Sequence, residues 1–298
     1  MMPGVSTTGE RGPASKRLEG RVALVTGSTT GIGEAIARRF AAEGAFVMTH
    51  GRRQAEAERV VTAIESDGSG RAAYTLADLA LPESADYLVE QTVKRAGRLD
   101  ILVNNAAVMA RGDLETTTSD LFDRTIAVNL RAPMLLARAA IPHLRAATGG
   151  VVLNIGSVNG YCGERNQLAY SLSKGGLMTL SRNLADAYGP EGVRVHHFNV
   201  GWVLTPGEHH LKQLEGLPQE WPTSLPSAFA PSGQLLTPED IAHFALAFVD
   251  RGAGAVSGVV VDLEQYPVIG RNPSKDMGSG SNEPASGPCA SVLAAHRS

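Results

Sequence analysis

A short apolar run, Arg21-Val-Ala-Leu-Val25, passes directly into the glycine-rich segment Thr26-Gly-Ser-Thr-Thr-Gly-Ile-Gly33 and then into Glu34-Ala-Ile-Ala-Arg-Arg-Phe-Ala-Ala-Glu43. The first reads as a buried strand and the last has helical periodicity. Strand, glycine turn and helix in that order open a βαβ unit, which commits the chain to a parallel sheet covered by helices. The helix start also offers free backbone N–H groups and a positive dipole end to a pyrophosphate. Gly27 permits the tight turn, Gly31 lets phosphates approach the backbone, and Gly33 lets the helix pack closely on the strand. The spacing is G-x-x-x-G-x-G, which differs from the commoner G-x-G-x-x-G fingerprint.

Strand and helix patterns alternate along the rest of the chain. Phe46–His50, Ala72–Leu76, Ile101–Asn104, Val151–Ile155, Arg194–Phe198 and Gly258–Val261 read as strands 2 to 7, with crossover helices between them. The expected fold is a Rossmann-type doubly wound α/β domain of about seven parallel strands with helices on both faces. It spans residues 18–271, between a Gly/Ser/Thr/Pro-rich tail at 1–17 and a low-complexity tail at 272–298 that reads as disordered.

Composition narrows the function classes. A net charge of -3 argues against a nucleic-acid binder, which would show a basic face. No stretch approaches the roughly 18 apolar residues that span a bilayer. Two cysteines, Cys162 and Cys289, supply neither a disulfide framework nor a zinc pattern, and the expectation is a cytoplasmic protein without a metal.

Tyr170 and Lys174 lie four residues apart, with Ser157 thirteen residues upstream. On a helix, i and i+4 share a face, so an ammonium can lie beneath a phenol and lower its pKa from about 10. Thr26-Gly-x-x-x-Gly-Ile-Gly33, Asn104-Asn-Ala106, Asn129, Ser157 and Tyr170-x-x-x-Lys174, in that order and spacing, resemble the short-chain dehydrogenase/reductase family, in its short single-domain branch. The resemblance runs from about Arg21 to Asp262.

That resemblance implies an NAD(P)-dependent enzyme interconverting a secondary alcohol and a ketone. Tyr170 would be the general acid/base. Lys174 would lower its pKa and hold the nicotinamide ribose, and Ser157 would steady the substrate oxygen. Asn129 would hold a helix bend and a water that links Lys174 to solvent. The cofactor would touch Gly27, Thr30, Gly31, Ile32 and Gly33 on the turn, and Asp78 and Leu79 after strand 3. It would also touch Asn105 and Ala106 after strand 4, Gly201, Val203 and Thr205 after strand 6, and Tyr170 and Lys174 themselves.

After strand 2, Gly51 stands where an NAD-type site places an acid, and Arg52 and Arg53 follow. Guanidinium groups suit a 2′-phosphate, so NADP is favoured over NAD, although Thr30 stands where many NADP members carry a basic residue. Three departures from the family pattern stand out: Ala107 for a glycine, Val200 for the proline before Gly201, and Leu263-Glu264 for the closing pair of glycines.

Residues 206–231 would form a lid over the nicotinamide. Asn159, Glu164, Asn166, His209 and His210 are polar candidates near the substrate, pointing to a sugar, polyol or other small hydroxylated carbonyl. A 3-oxoacyl-type or xenobiotic carbonyl reductase is the alternative within the class, and a non-catalytic NADP-sensing protein the alternative outside it. His196 and His197 would point to opposite sheet faces as packing residues. By analogy the chain forms a homo-oligomer, with a tetramer as the default.

Overall fold

The computed structural model describes residues 16–267 except 67, 69, 226 and 228. The two tails expected from composition therefore lie almost wholly outside the described residues. Seven strands form one all-parallel sheet: β1 (Val22–Val25), β2 (Phe46–Gly51), β3 (Arg71–Leu76), β4 (Ile101–Asn104), β5 (Val151–Ile155), β6 (Arg194–Val200) and β7 (Val260–Leu263). Their order is 3-2-1-4-5-6-7, so the winding reverses between β1 and β4. A ligand crevice is expected at that switch point, beyond the carboxyl ends of the strands.

The strands read as continuous apolar runs because both faces are covered. Ala23, Val25, Ile101, Val103, Val151 and Leu153 face one core, which takes in the buried sides of α1 (Gly31–Ala42), α2 (Gln54–Ser66) and α9 (Pro238–Val249). Their neighbours Leu24, Leu102 and Val152 face the other, built with α3 (Ser84–Ala96) and α5 (Ala132–Ala146) and flanked by α7 (Leu168–Tyr188). The remaining helices are α4 (Ser119–Ile126), α6 (Asn159–Cys162) and α8 (Pro206–Leu214).

Element limits shift in several places: β2 runs one residue further, β3 starts one earlier, and β6 runs on to Val200. The last strand begins two residues later than Gly258, because Gly258 adopts φ +75, outside the extended region. Between α4 and α5 the helix opens into a π turn at Ala127–Arg131. Such turns are rare and mark functional positions, and this one carries Asn129.

The amino end of the sheet is held by a buried cation. Arg21 donates to the carbonyls of Val249 (2.6 Å), Gly149 (2.8 Å) and Asp100 (3.2 Å), joining the end of α9 to β4 and the loop before β5. Burial draws its pKa down to about 10. Arg21→Ala removes three hydrogen bonds, leaving the Gly149 carbonyl without that partner while Val249 keeps Arg194 (3.3 Å) and Asp100 keeps the Val151 N–H (3.0 Å), and is expected to cost about 3 kcal/mol. The readout is a lower urea midpoint with an unchanged slope.

Candidate active site

At the switch point the turn after β1 places two glycines in the left-handed region, Gly27 at φ +62 and Gly31 at φ +56. A Cβ on Gly27 would lie 2.8 Å from the Ala106 Cα. Gly33 is a glycine for a reason the sequence did not show. A Cβ there would lie 2.4 Å from both the Gly27 carbonyl oxygen and the Asn105 amide nitrogen. Asn105 donates to the carbonyls of Thr26 (2.9 Å) and Gly27 (3.0 Å), so its side chain shapes the turn. The Thr30 side chain makes no cap bond to α1, so no side chain competes for the first-turn N–H groups.

His50, at the end of β2, braces the same turn. Its Nδ1 accepts from the Gly27 N–H (3.1 Å), which leaves Nε2–H to donate to the Ala77 carbonyl (3.1 Å). Burial pushes this imidazole down to about 4, fixing the neutral tautomer. Nothing in the sequence pattern singled His50 out.

One cavity of about 480 Å³ runs from this turn across the sheet ends. Of the predicted residues, Gly27, Thr30, Gly31, Ile32, Arg52, Arg53, Asp78, Leu79, Asn105, Ala106, Gly201, Val203 and Thr205 line it, together with Ser157, Tyr170 and Lys174. Gly33 and Asn129 support it from behind. Arg53 is ion-paired with Glu56 at 2.7 Å, whereas Arg52 has no ion pair among the described residues. The Asp78 carboxyl accepts from the Ala80 N–H (3.0 Å), which holds it below the usual carboxylate range with help from Arg124.

The residues predicted for chemistry converge. Ser157, just past the end of β5, lines the cavity with Tyr170, and its hydroxyl favours the ionised phenol while burial opposes it more strongly. Lys174, one turn along α7, donates to the Ile155 carbonyl (2.8 Å), with its Nζ 5.5 Å from the Tyr170 ring centre. Burial governs both pKa values: Tyr170 is pushed up to about 12 and Lys174 down to about 8. The lowering by the ammonium that the spacing suggests is not what sets the phenol, whose pKa is raised by desolvation.

Asn129 accepts from the Val108 N–H (2.7 Å) and donates to the Val108 carbonyl (3.0 Å) and to Ser173 (3.0 Å). The π turn thereby ties the loop after β4 to α7.

Behind this group a buried polar chain crosses the sheet. Asn104 donates to Asn154 (2.8 Å) and Asn154 to Ser181 (2.9 Å). The His197 ring bridges Ser181 (2.9 Å) and Asn199 (3.0 Å), and Asn199 donates to Asp262 (3.0 Å). His197 is thus a linked polar residue as well as a packed one. A Cβ on Gly156 would lie 2.1 Å from its Nε2, so the glycine before Ser157 makes room for it. His196 points the other way, stacking edge-on with Phe248.

The departures in the sequence fit one another. Glu264 accepts from the Trp202 N–H (3.0 Å), and its carboxylate fills the space a Cβ on Gly201 would need. The turn after β6, which lacks a proline, is secured by the residue that replaces a closing glycine. Thr205 spends its hydroxyl capping α8, accepting from the Glu208 N–H (3.0 Å), while its methyl faces Gly31.

Residues 206–231, expected as a lid, contribute Trp221 and Ala230 to a small core with Leu235, and Trp202 stacks on Trp221 at 5.5 Å. Glu164 and Asn166 are exposed, neither they nor Asn159 line the cavity, and His209 bonds the Gln219 carbonyl (3.1 Å). The cavity residues the sequence reading missed include His50, Arg124, Trp202 and Glu208.

A doubly wound sheet whose switch-point glycine turn shares a cavity with a Ser, Tyr and Lys is a dehydrogenase architecture. The family model for short chain dehydrogenases matches residues 21–215, and the chain belongs to that family as an oxidoreductase. It is 33% identical over 251 residues to the 7alpha-hydroxysteroid dehydrogenase of Clostridium sardiniense, covering 83% of this chain and 93% of the relative.

Among solved structures, a short chain dehydrogenase from Burkholderia cenocepacia in complex with NADP superposes with a TM-score of 0.71 at 31% identity, covering 83% of this chain and 98% of that one. The L-sorbose reductase of Gluconobacter frateurii, complexed with NADPH and L-sorbose, superposes at 0.79 with 27% identity, covering 84% and 97%. Among the described residues no helix is long and apolar enough to cross a membrane.

Proposed function

We propose that the chain interconverts a ketone and a secondary alcohol on a small hydroxylated substrate, with NADP(H) as the favoured cofactor. The observation that carries this reading is the single cavity shared by the glycine turn, Arg52, Ser157, Tyr170 and Lys174. The uncapped start of α1 and the absence of side chains at Gly27 and Gly31 suit a pyrophosphate. When bound, the nicotinamide would supply or accept the hydride.

The protein's share is proton handling and orientation. Tyr170, a phenol that burial keeps firmly protonated, is set to give its proton to a carbonyl oxygen that Ser157 also contacts. Lys174, held by Ile155, is the cation beside the phenol that moderates the charge left behind. Asn129 and Ser173 fix the loop and helix on either side.

Arg52 is the group for a 2′-phosphate, since Arg53 is engaged by Glu56. Arg52→Ala is expected to weaken NADPH binding by about tenfold or more while leaving NADH within about twofold; equal losses would remove the phosphate role. A small hydroxylated substrate is supported by the Glu208 carboxylate in the cavity and by the likeness to the sorbose reductase. NADPH consumption with a panel of short hydroxy-ketones tests the activity, and the absence of turnover on every member would count against it.

A further inference from the structure

Glu208 occupies the N3 position of α8, where a glutamate ordinarily reaches back to the N-cap N–H to close a capping box. The same molecule shows that arrangement at α9, where Asp240 accepts from the Thr237 N–H at 2.8 Å. In α8 the N-cap N–H of Thr205 is bonded instead to the Val203 carbonyl (3.0 Å). The Glu208 Oε1 is turned away to accept from the Trp202 indole N–H at 2.9 Å.

Trp202 is itself immobilised, its backbone N–H held by Glu264 and its ring stacked on Trp221. The carboxylate is therefore placed by a rigid neighbour rather than spent on the helix. It lines the cavity with Tyr170 and Ser157.

Glu208 also lacks a counter-ion among the described residues. The nearby cations Arg111 and Lys212 both bind Glu215, at 2.8 and 2.7 Å, and neither lines the cavity. Its negative charge is felt at Tyr170, where it opposes ionisation of the phenol. One oxygen is occupied by Trp202, and the remaining lone pairs of a carboxylate accept hydrogen bonds only.

We infer that Glu208 sets substrate choice, accepting a hydroxyl or ammonium group carried near the reacting carbon and rejecting substrates with a carboxylate there. This deepens the dehydrogenase reading above and rests on it for the identity of the reacting carbon. A site built to accept from a hydroxyl discriminates strongly against analogues that lack one, and an unpaired anion at the same place disfavours another anion.

The test is Glu208→Gln, which keeps the acceptor for Trp202 and removes the charge. Dissociation constants are measured by ligand-observed NMR on the full chain with NADP added, for three four-carbon ketones: erythrulose, butanone and acetoacetate. The unaltered chain is expected to bind erythrulose tightest and acetoacetate weakest. In the variant, erythrulose should weaken about tenfold, acetoacetate should strengthen by a similar factor, and butanone should not move. Unchanged ranking in the variant, or acetoacetate preferred by the unaltered chain, would overturn the assignment. Turnover is not part of the readout. A chain that binds erythrulose through Glu208 yet reduces nothing would support the pocket and overturn the chemistry.

Discussion

Tyr170→Phe is expected to lower kcat by about a thousandfold or more while NADPH binds with unchanged affinity. On the proposed chemistry the phenol passes a proton to a substrate oxygen, with Ser157 sharing the cavity and Lys174 beside it. The ring fills the same space in Phe, so the burial of this side chain is preserved. A thousandfold loss corresponds to about 4 kcal/mol of barrier, beyond what a lost neutral hydrogen bond alone would give. Steady-state rates paired with a cofactor titration separate the effects. Loss of both rate and cofactor affinity would assign Tyr170 to binding, and a normal rate would remove it from the chemistry.

Acid should unfold the protein steeply. His50 and His197 are buried and bonded, His196 is buried with neither ring nitrogen partnered, and burial holds all three at about 4 instead of 6.5. Their folded pKa values lie below the unfolded one, so the unfolded chain binds more protons between these limits. The stability they contribute is whole above pH 6.5 and drains as pH falls toward 4.

Each imidazole contributes a slope of up to about 1.4 kcal/mol per pH unit and a loss of about 3 kcal/mol across the window. Unfolding free energies from urea titrations at several pH values check this, and a flat profile between pH 7 and 4.5 would refute it. His196→Leu should remove one proton from the slope, because that ring has no hydrogen bond to lose. His50 adds a functional consequence, since a proton on its Nδ1 would confront the Gly27 N–H and open the dinucleotide turn.

Much of this architecture was visible in the sequence because it rests on local periodicity. Buried parallel strands such as Ile101–Asn104 and Val151–Ile155 show as apolar runs bounded by turn residues, and the structure keeps those limits. The glycine turn and the Tyr170–Lys174 spacing are short-range patterns with one structural solution. What escaped the sequence depends on long-range contacts. Glu208, on α8, joins Tyr170 in the cavity from 38 residues further along the chain. Glu264 meets Gly201 only because β7 pairs with β6. His50 looks like any strand residue until β3 and the glycine turn close on it. Glu164 and Asn166 were drawn to the substrate by polarity, yet they lie on the exposed loop between α6 and α7. The strand expected at Gly258 moved because a positive φ is a property of the folded backbone.

We propose a nicotinamide dinucleotide site in the cavity at the switch point, with Arg52 as the cation that reads a phosphate. Calorimetric titration of the full chain with NADPH and with NADH at matched salt tests this most directly. The predicted result is binding of both, with NADPH tighter by about tenfold or more, equivalent to about 1.4 kcal/mol. Binding of neither dinucleotide would contradict the account.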